Sequence, residues 1–194
     1  MSPHALMAEN RTIEEYLDLD RESERKHEFF DGEIFAMSGG SAWHSLIIAN
    51  TARALGNALA GRPCWTFVSD LRLRVDATGL CTYPDVMVAC GELRFADGQS
   101  DTLLNPALLV EVLSPTTADY DRGGKLTHYR SIPSVREYLL LEQDRAHAEL
   151  YSGSEDDRWL LRDVDGLDAG VQLSSLEIGL EMGELYRQVT PVAG

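Results

Sequence analysis

The feature that most constrains the fold of this chain is a nearly continuous apolar run over residues 107–113, which contains one charged residue, Glu111. A run of this kind, stopped by Ser114 and Pro115, predicts a strand buried on both faces in the middle of a sheet. A carboxylate buried alone in such a strand would carry a large desolvation cost. The sequence therefore predicts that Glu111 faces a cation, a base or a cleft. A structural ion pair with an arginine is the main alternative.

Helical and extended patterns alternate along the rest of the chain. Residues 43–60 predict a long helix, because apolar side chains recur at helical spacing until a Gly-Arg-Pro break. Asp31-Gly32 favours a hairpin between two short strands. Further strands are predicted at residues 64–68, 71–75, 82–89, 107–113, 136–142, 146–152, 159–162 and 171–173, and further helical segments at 119–131 and 182–189. This order predicts an α+β (α/β) fold with a mixed central sheet flanked by helices, an N-terminal hairpin and C-terminal strand additions.

The length and charge of the chain limit its architecture and its partners. Its 194 residues fit one domain, which we place at residues 11–189 after a flexible tail at residues 1–10. No apolar run approaches the roughly 18 residues of a membrane helix, and residues 1–10 lack the positive cluster and apolar segment of a secretion signal. We therefore expect a cytoplasmic protein without a membrane partner. The formal net charge of −15 opposes nucleic acid at long range.

The chain has three cysteines, Cys64, Cys81 and Cys90. The number is odd and no Cys-x-x-Cys pair occurs, which argues against a disulfide framework and against a structural zinc site. We therefore expect three reduced, partly buried thiols.

Asp85 is the second carboxylate that the sequence singles out. It follows Pro84 at the start of another apolar strand, where an aspartate of purely structural role is common. Two acids on neighbouring strands can converge on one divalent cation, and carboxylate oxygens suit magnesium or manganese better than zinc. Without the metal, repulsion between Asp85 and Glu111 should raise the pKa of one of them.

Lys125 is one of only two lysines in the chain, the other being Lys26. An arginine would serve an ordinary surface ion pair equally well, so the lysine indicates a need for a compact ammonium group. Asp121 lies four residues earlier, and a surface salt bridge between the two is the alternative.

One histidine and a group of four arginines are weaker candidates for a role in the site. His44 begins the long apolar helix, where a lone histidine is more often structural than a ligand. Four arginines cluster within 22 residues and could contact phosphates, although we favour a solvated or salt-bridged surface role for them. They are Arg53, Arg62, Arg72 and Arg74.

Nearly the whole chain, from about residue 12 to residue 189, resembles the Uma-two family, a bacterial group assigned to the PD-(D/E)XK superfamily of restriction-endonuclease-like nucleases. The most specific part is a Glu-Val-Leu-Ser-Pro stretch that begins at Glu111 and is followed by an Asp-Arg-x-x-Lys block that ends at Lys125. The matching stretches are residues 27–37, His44, residues 84–86, residues 105–117, Asp121-Arg122, Lys125, Tyr129 and residues 132–138.

The resemblance implies a restriction-endonuclease-like fold in which Asp85 and Glu111 hold a magnesium (or manganese) ion. In the superfamily pattern a lysine stands two residues after the strand acid, and here that residue is Leu113. Lys125 on the following helix is the nearest substitute. The expected third ligand is the carbonyl of Val112, and His44 is the expected neighbour of the site.

These expectations combine into a metal-dependent nuclease that hydrolyses DNA phosphodiester bonds with a metal-activated water. Asp85 and Glu111 would be ligands, and Lys125 would orient the water or stabilise the transition state. Cutting both strands of a duplex needs two active sites, so a homodimer is expected.

Two alternatives belong to other functional classes. The first is an inactive module of the same fold that binds nucleic acid or protein, which the net charge of −15 and Leu113 favour. The second is a magnesium-dependent phosphoesterase that acts on small nucleotides. A steep salt dependence of DNA binding would separate a DNA enzyme from both.

Overall fold

A mixed six-stranded sheet forms the centre of the fold in the computed structural model, which describes residues 5–8, 10–37, 39–154, 156 and 158–190. The strands, in order across this central sheet, are β12 (Trp159–Asp165), β11 (His147–Gly153), β10 (Glu137–Glu142), β9 (Leu108–Leu113), β7 (Val86–Cys90) and β4 (Cys64–Val68). Strand β9 is parallel to β10 and antiparallel to β7. All six residues of β9 are buried, Glu111 included, which confirms the predicted interior strand.

A second six-stranded sheet contains the N-terminal hairpin. Its strands, in order, are β1 (Ala5–Ala8), β3 (Glu33–Ala36), β2 (His27–Phe30), β6 (Leu80–Thr82), β5 (Arg72–Val75) and β8 (Thr102–Leu103). The predicted hairpin turn is confirmed: Asp31 and Gly32 have φ values of 50° and 81°, the left-handed geometry that Asp-Gly favours in tight hairpins.

Two parts of this second sheet differ from the sequence prediction. Strand β1 pairs with β3, whereas residues 1–10 were expected to be a flexible tail; residues 1–4 and 9 lie outside the described residues. The backbone of β1 covers the edge that β3 would otherwise leave open. The strand predicted at residues 82–89 is two strands, because β6 ends at Thr82 in one sheet and β7 begins at Val86 in the other. Pro84 interrupts the backbone pairing between them.

Helices pack on both six-stranded sheets and join their strands. They are α1 (Ile13–Glu22), α2 (Ala42–Ala58), α3 (Ala118–Tyr120), α4 (Leu126–Tyr129) and α5 (Met182–Leu185), with a 3-10 turn at Ala96–Gly98 and a small third sheet of β13 (Gly170–Leu173) and β14 (Ile178–Glu181). Helix α2 packs its apolar side, including Ile47 and Leu55, into a core with β7, β9 and β10. The predicted α+β class, with mixed sheets and flanking helices, is confirmed. No helix among the described residues is long and apolar enough to cross a bilayer.

The prediction of three reduced thiols is wrong for two of them. Cys64 and Cys90 form a disulfide between β4 and β7, where they are register partners with their Cα atoms 4.0 Å apart. Their separation of 26 residues hides this proximity in the sequence, because only the antiparallel pairing of the two strands brings them together. Cys81 is the free, buried cysteine.

Thiol titration should therefore give one reactive thiol per chain when the protein is prepared without reductant and denatured before reagent is added. Cys81→Ser should reduce the count to zero, because the remaining cysteines are bridged. Three thiols in the wild-type protein would contradict the disulfide.

Candidate active site

The pairing of β7 with β9 brings the two predicted carboxylates together. Val86 is the register partner of Val110, so Asp85 lies beside Glu111. The backbone N–H of Val112 donates to Asp85 Oδ2 at 2.8 Å, and the backbone N–H of Asp85 lies 3.4 Å from Glu111 Oε2. Both residues line one cavity. The chain leaves the second sheet at Tyr83 and enters the central sheet at Val86, which places Asp85 at the end of a strand and not within it.

Lys125 extends its ammonium group into the middle of the acidic side chains. Its Nζ lies 3.0 Å from Glu111 Oε1, 3.2 Å from Asp121 Oδ1 and 3.5 Å from Glu28 Oε1. The pair with Asp121 therefore exists, but it is not on the surface, because Lys125 is only 6% exposed. The buried charge of Glu111 is balanced by this lysine and not by an arginine. The Tyr129 hydroxyl also donates to Glu111 Oε1 at 2.7 Å.

The electrostatics of the pair follow from this burial. Burial raises the pKa of Glu111 to about 8; the charge of Lys125 opposes the rise, and Asp85 adds to it. The expected rise is thus present, but its main cause is desolvation and not repulsion between carboxylates. Burial lowers the pKa of Lys125, but the charge of Glu111, with smaller contributions from Glu28 and Asp121, prevails and raises it well above its ordinary value. Lys125 is therefore an ammonium ion.

An irregular helical segment presents Asp121 and Lys125 to the cavity. Between α3 and α4 the chain forms a π-helical turn, Asp121–Lys125, a local irregularity that often occurs at functional sites. The Arg122 guanidinium turns away from the cavity to Glu142 and Glu149, at 3.0 and 2.7 Å. This anchors the turn to β10 and β11. The single helix predicted at residues 119–131 is thus three consecutive segments that end at Tyr129.

His44, in the first turn of α2, contacts the other carboxylate of the pair, Asp85. Its Nε2 is 3.3 Å from Asp85 Oδ2. The Ser41 hydroxyl accepts a hydrogen bond from the His44 backbone N–H at 3.1 Å and so caps the helix. Burial lowers the pKa of His44, but the hydrogen bond to Asp85 and its charge prevail and raise it. The structure therefore places the predicted neighbour in contact with Asp85.

The cavity has a volume of about 510 Å³ and is rich in acidic groups. Its charged and titratable lining residues are Glu28, Asp85, Glu111 and Asp121 on the acidic side and His44 and Lys125 on the basic side. Tyr83, Tyr120 and the hydroxyl side chains of residues 114, 116 and 117 complete much of the wall.

None of the four clustered arginines lines the cavity. Three of them make ion pairs elsewhere, which agrees with the salt-bridged role that we favoured. Their partners are Glu184 for Arg53, Glu177 for Arg62, and Asp76 and Asp97 for Arg74.

Arg72 neither lines the cavity nor lies on the surface, so it fits neither the phosphate-binding nor the surface role. It is buried, and its guanidinium lies 2.6 Å from Asp20 Oδ2. The buried carboxylate of Asp20 on α1 pairs with it inside the protein, whereas we expected a surface position.

The donor set of the cavity fits a hard divalent cation. Asp85 and Glu111 offer carboxylate oxygens, and Asp121 Oδ1 is a buried oxygen without a hydrogen-bond donor, although Lys125 lies near it. Oxygen donors of this kind favour magnesium or manganese over zinc. Asp85 and Glu111 would hold the ion, with the Val112 carbonyl as the predicted third ligand.

A different group of the described residues brings three potential ligand atoms within 4.8 Å of one another, namely Glu142, His147 and Glu149. The Arg122 guanidinium already bonds to both glutamates there. A cation at this place would have to displace that guanidinium, so we assign no metal to it.

Sequence reasoning missed three members of the site. Glu28 on β2 and Tyr129 on α4 were not singled out for chemistry, and Asp121 was considered only as a surface partner of Lys125. Glu28 did carry a signal, because it precedes two phenylalanines in a short apolar strand. The same argument that selected Glu111, a charge in an apolar run, would have selected Glu28.

Comparisons with known proteins identify the family and the fold of the chain. The Uma2 family model, described as "Putative restriction endonuclease", matches residues 13–187. Two uncharacterized proteins of Synechocystis sp. are each 37% identical; one match spans 86% of this chain and 94% of the relative, the other 90% of each. The crystal structure of a "putative nuclease belonging to DUF820" from Anabaena variabilis superposes with a TM-score of 0.76 at 20% identity, covering 93% of this chain and 99% of that one.

At 20% identity the structural likeness shows the fold. The family match covers most of the chain and confirms the resemblance stated on its motifs. The chain therefore belongs to the Uma2 family of restriction-endonuclease-like proteins.

Proposed function

We propose that this protein is a metal-dependent nuclease that hydrolyses DNA phosphodiester bonds in the cavity between the two six-stranded sheets. The observation that carries the proposal is the convergence of Asp85, Glu111 and Lys125 on one cavity from three separate elements. Membership of a family whose description reads "Putative restriction endonuclease" supports the reaction class.

The side chains of the cavity have distinct roles in this proposal. Asp85 and Glu111 would hold a magnesium or manganese ion, which would supply a nucleophilic water at neutral pH and would offset charge on the phosphoryl oxygens. The Tyr129 hydroxyl fixes the orientation of Glu111 through its 2.7 Å hydrogen bond. His44 and the Val112 N–H fix Asp85 in the same way.

Lys125 brings a permanent positive charge to a site that otherwise repels phosphate. Its ammonium is held between carboxylates within 3.5 Å and borders the open volume. From there it can donate to the attacking water or to a phosphoryl oxygen. Such a preorganised charge acts strongly because the surroundings exclude water.

Cleavage of supercoiled plasmid and of single-stranded DNA tests the proposal. Product should form with Mn²⁺ or Mg²⁺, and chelation should stop it. The homodimer expected from the sequence remains a prediction, which sedimentation of the same preparation measures.

A binding module of the same fold is the second candidate. The four acidic side chains of the cavity and the net charge of −15 favour it, because both oppose a polyanion that is not accompanied by cations. Metal-dependent DNA binding without cleavage by the wild-type protein would select this candidate over the nuclease.

A further inference from the structure

One aromatic ring of the cavity wall has no part in the mechanism above. Tyr120, the last residue of α3, lines the cavity half-buried, with its ring centroid 5.9 Å from Lys125 Nζ. The ring therefore stands beside the group proposed to act on the phosphate, and part of its surface is open to a ligand.

The backbone is shaped around this ring. A Cβ atom added at Gly124 would lie 2.5 Å from both Cδ2 and Cε2 of Tyr120, whereas one added at Gly123 would meet nothing within 4 Å. Neither glycine has a positive φ, so backbone conformation does not require glycine at either position. The Tyr120 ring can occupy its position only because residue 124 has no side chain.

The charges around the cavity restrict how a nucleic acid could be bound there. Four carboxylates face one lysine and one histidine, and the four clustered arginines of residues 53–74 form ion pairs outside the cavity. Tight binding of a duplex draws on many phosphate contacts. Binding to unpaired nucleotides draws in addition on stacking of bases against aromatic side chains.

We infer that Tyr120 is the stacking platform for an unpaired nucleobase next to the scissile phosphate, and that single-stranded or locally unpaired DNA is the substrate of this site. The inference rests on the proposed nuclease function and adds its substrate class. Gly124 is a positioning residue that acts through Tyr120. The cavity of about 510 Å³ falls in the range of about 300–1,000 Å³ that is typical of small-ligand sites, which fits an individual nucleotide.

The test is the steady-state cleavage of a short fluorescent single-stranded oligonucleotide with Mn²⁺. Stacking on an aromatic side chain changes affinity by about 5- to 150-fold per base, so Tyr120→Ala should raise KM by a factor in that range with a smaller change in kcat. Tyr120→Phe keeps the ring and should recover most of the lost affinity. An abasic site at the stacked position should raise KM for the wild type but not for Tyr120→Ala.

The two adjacent glycines provide a matched control. Gly124→Ala should raise KM as Tyr120→Ala does, because the new methyl group displaces the ring, whereas Gly123→Ala should match the wild type. In the Tyr120→Ala background, Gly124→Ala should have no additional effect, since the group it would displace is gone. Circular dichroism establishes matched folding, and the Tyr120 variants decide the question if Gly124→Ala fails to fold.

The possible failures are distinguishable. If the wild type cleaves DNA and Tyr120→Ala leaves KM unchanged, or if the wild type prefers fully paired duplex, the stacking inference is wrong and the nuclease proposal stands. If the wild type cleaves no DNA with either metal, both are wrong.

Discussion

Replacement of Glu111 by glutamine should abolish saturable binding of Mn²⁺ and Mg²⁺ and with it the cleavage of DNA. The amide keeps the shape of the side chain and can still accept the Tyr129 hydrogen bond, but it removes the anionic oxygen that a hard cation requires. Asp85→Asn should have the same effect, because the two carboxylates are neighbours across β7 and β9.

Isothermal titration of each variant with Mn²⁺ is the measurement, and it does not depend on catalysis. Glu33→Gln is a suitable control, because it makes the same carboxylate-to-amide change at an exposed position outside the cavity lining. An unchanged Mn²⁺ affinity in Glu111→Gln would remove Glu111 from the metal site.

Lys125→Met should lower kcat by about 10²-fold or more, the usual size of the effect when a preorganised charge is removed from a transition state. Metal binding should survive, since Asp85 and Glu111 remain. Lys125→Arg should lower kcat as well, because the planar guanidinium cannot occupy the place of a compact ammonium among three carboxylates. Lys26→Met, the matched control, removes the other lysine, which pairs with Asp70 outside the cavity.

The stability of Lys125→Met cannot by itself distinguish a catalytic from a structural lysine. Breaking a buried ion pair from one side costs about 3–5 kcal/mol of unfolding free energy, and Lys125 is buried among acids. The deciding quantity is kcat at temperatures where circular dichroism shows each variant folded. Equal kcat in wild type, Lys125→Met and Lys125→Arg would exclude Lys125 from the mechanism.

The two carboxylates proposed to hold a metal could be selected from local sequence, because a charged side chain inside an apolar strand needs a compensating partner. Glu111 stands in such a strand, and Asp85 opens a second one next to it. The central strand, the hairpin at Asp31-Gly32 and the long helix were predictable on the same grounds, since each pattern is set by neighbours within a few residues.

What could not be predicted depends on contacts between distant segments. The Cys64–Cys90 disulfide forms because β4 and β7 pair. Arg72 is buried because its guanidinium forms an ion pair with the buried carboxylate of Asp20 on α1. Residues 82–89 look like one strand, although the chain changes sheets at Pro84. Asp121 looked like a surface partner because nothing nearby in sequence shows that a π-helical turn buries it.

Lys125 lies on a helical segment and not on β9, which affects how sites of this kind can be found in other proteins. Glu111 and Leu113 project from the same face of β9, and Leu113 belongs to the apolar core cluster that also contains Tyr138 and Leu140. A lysine at position 113 would have to enter this apolar core, whereas Lys125, fourteen residues after Glu111, places its ammonium beside Glu111 from a separate element. A search pattern with fixed spacing between acid and lysine would reject this chain. A spatial template built from the side-chain ends of Asp85, Glu111 and Lys125 would accept it, whatever the length of the connection.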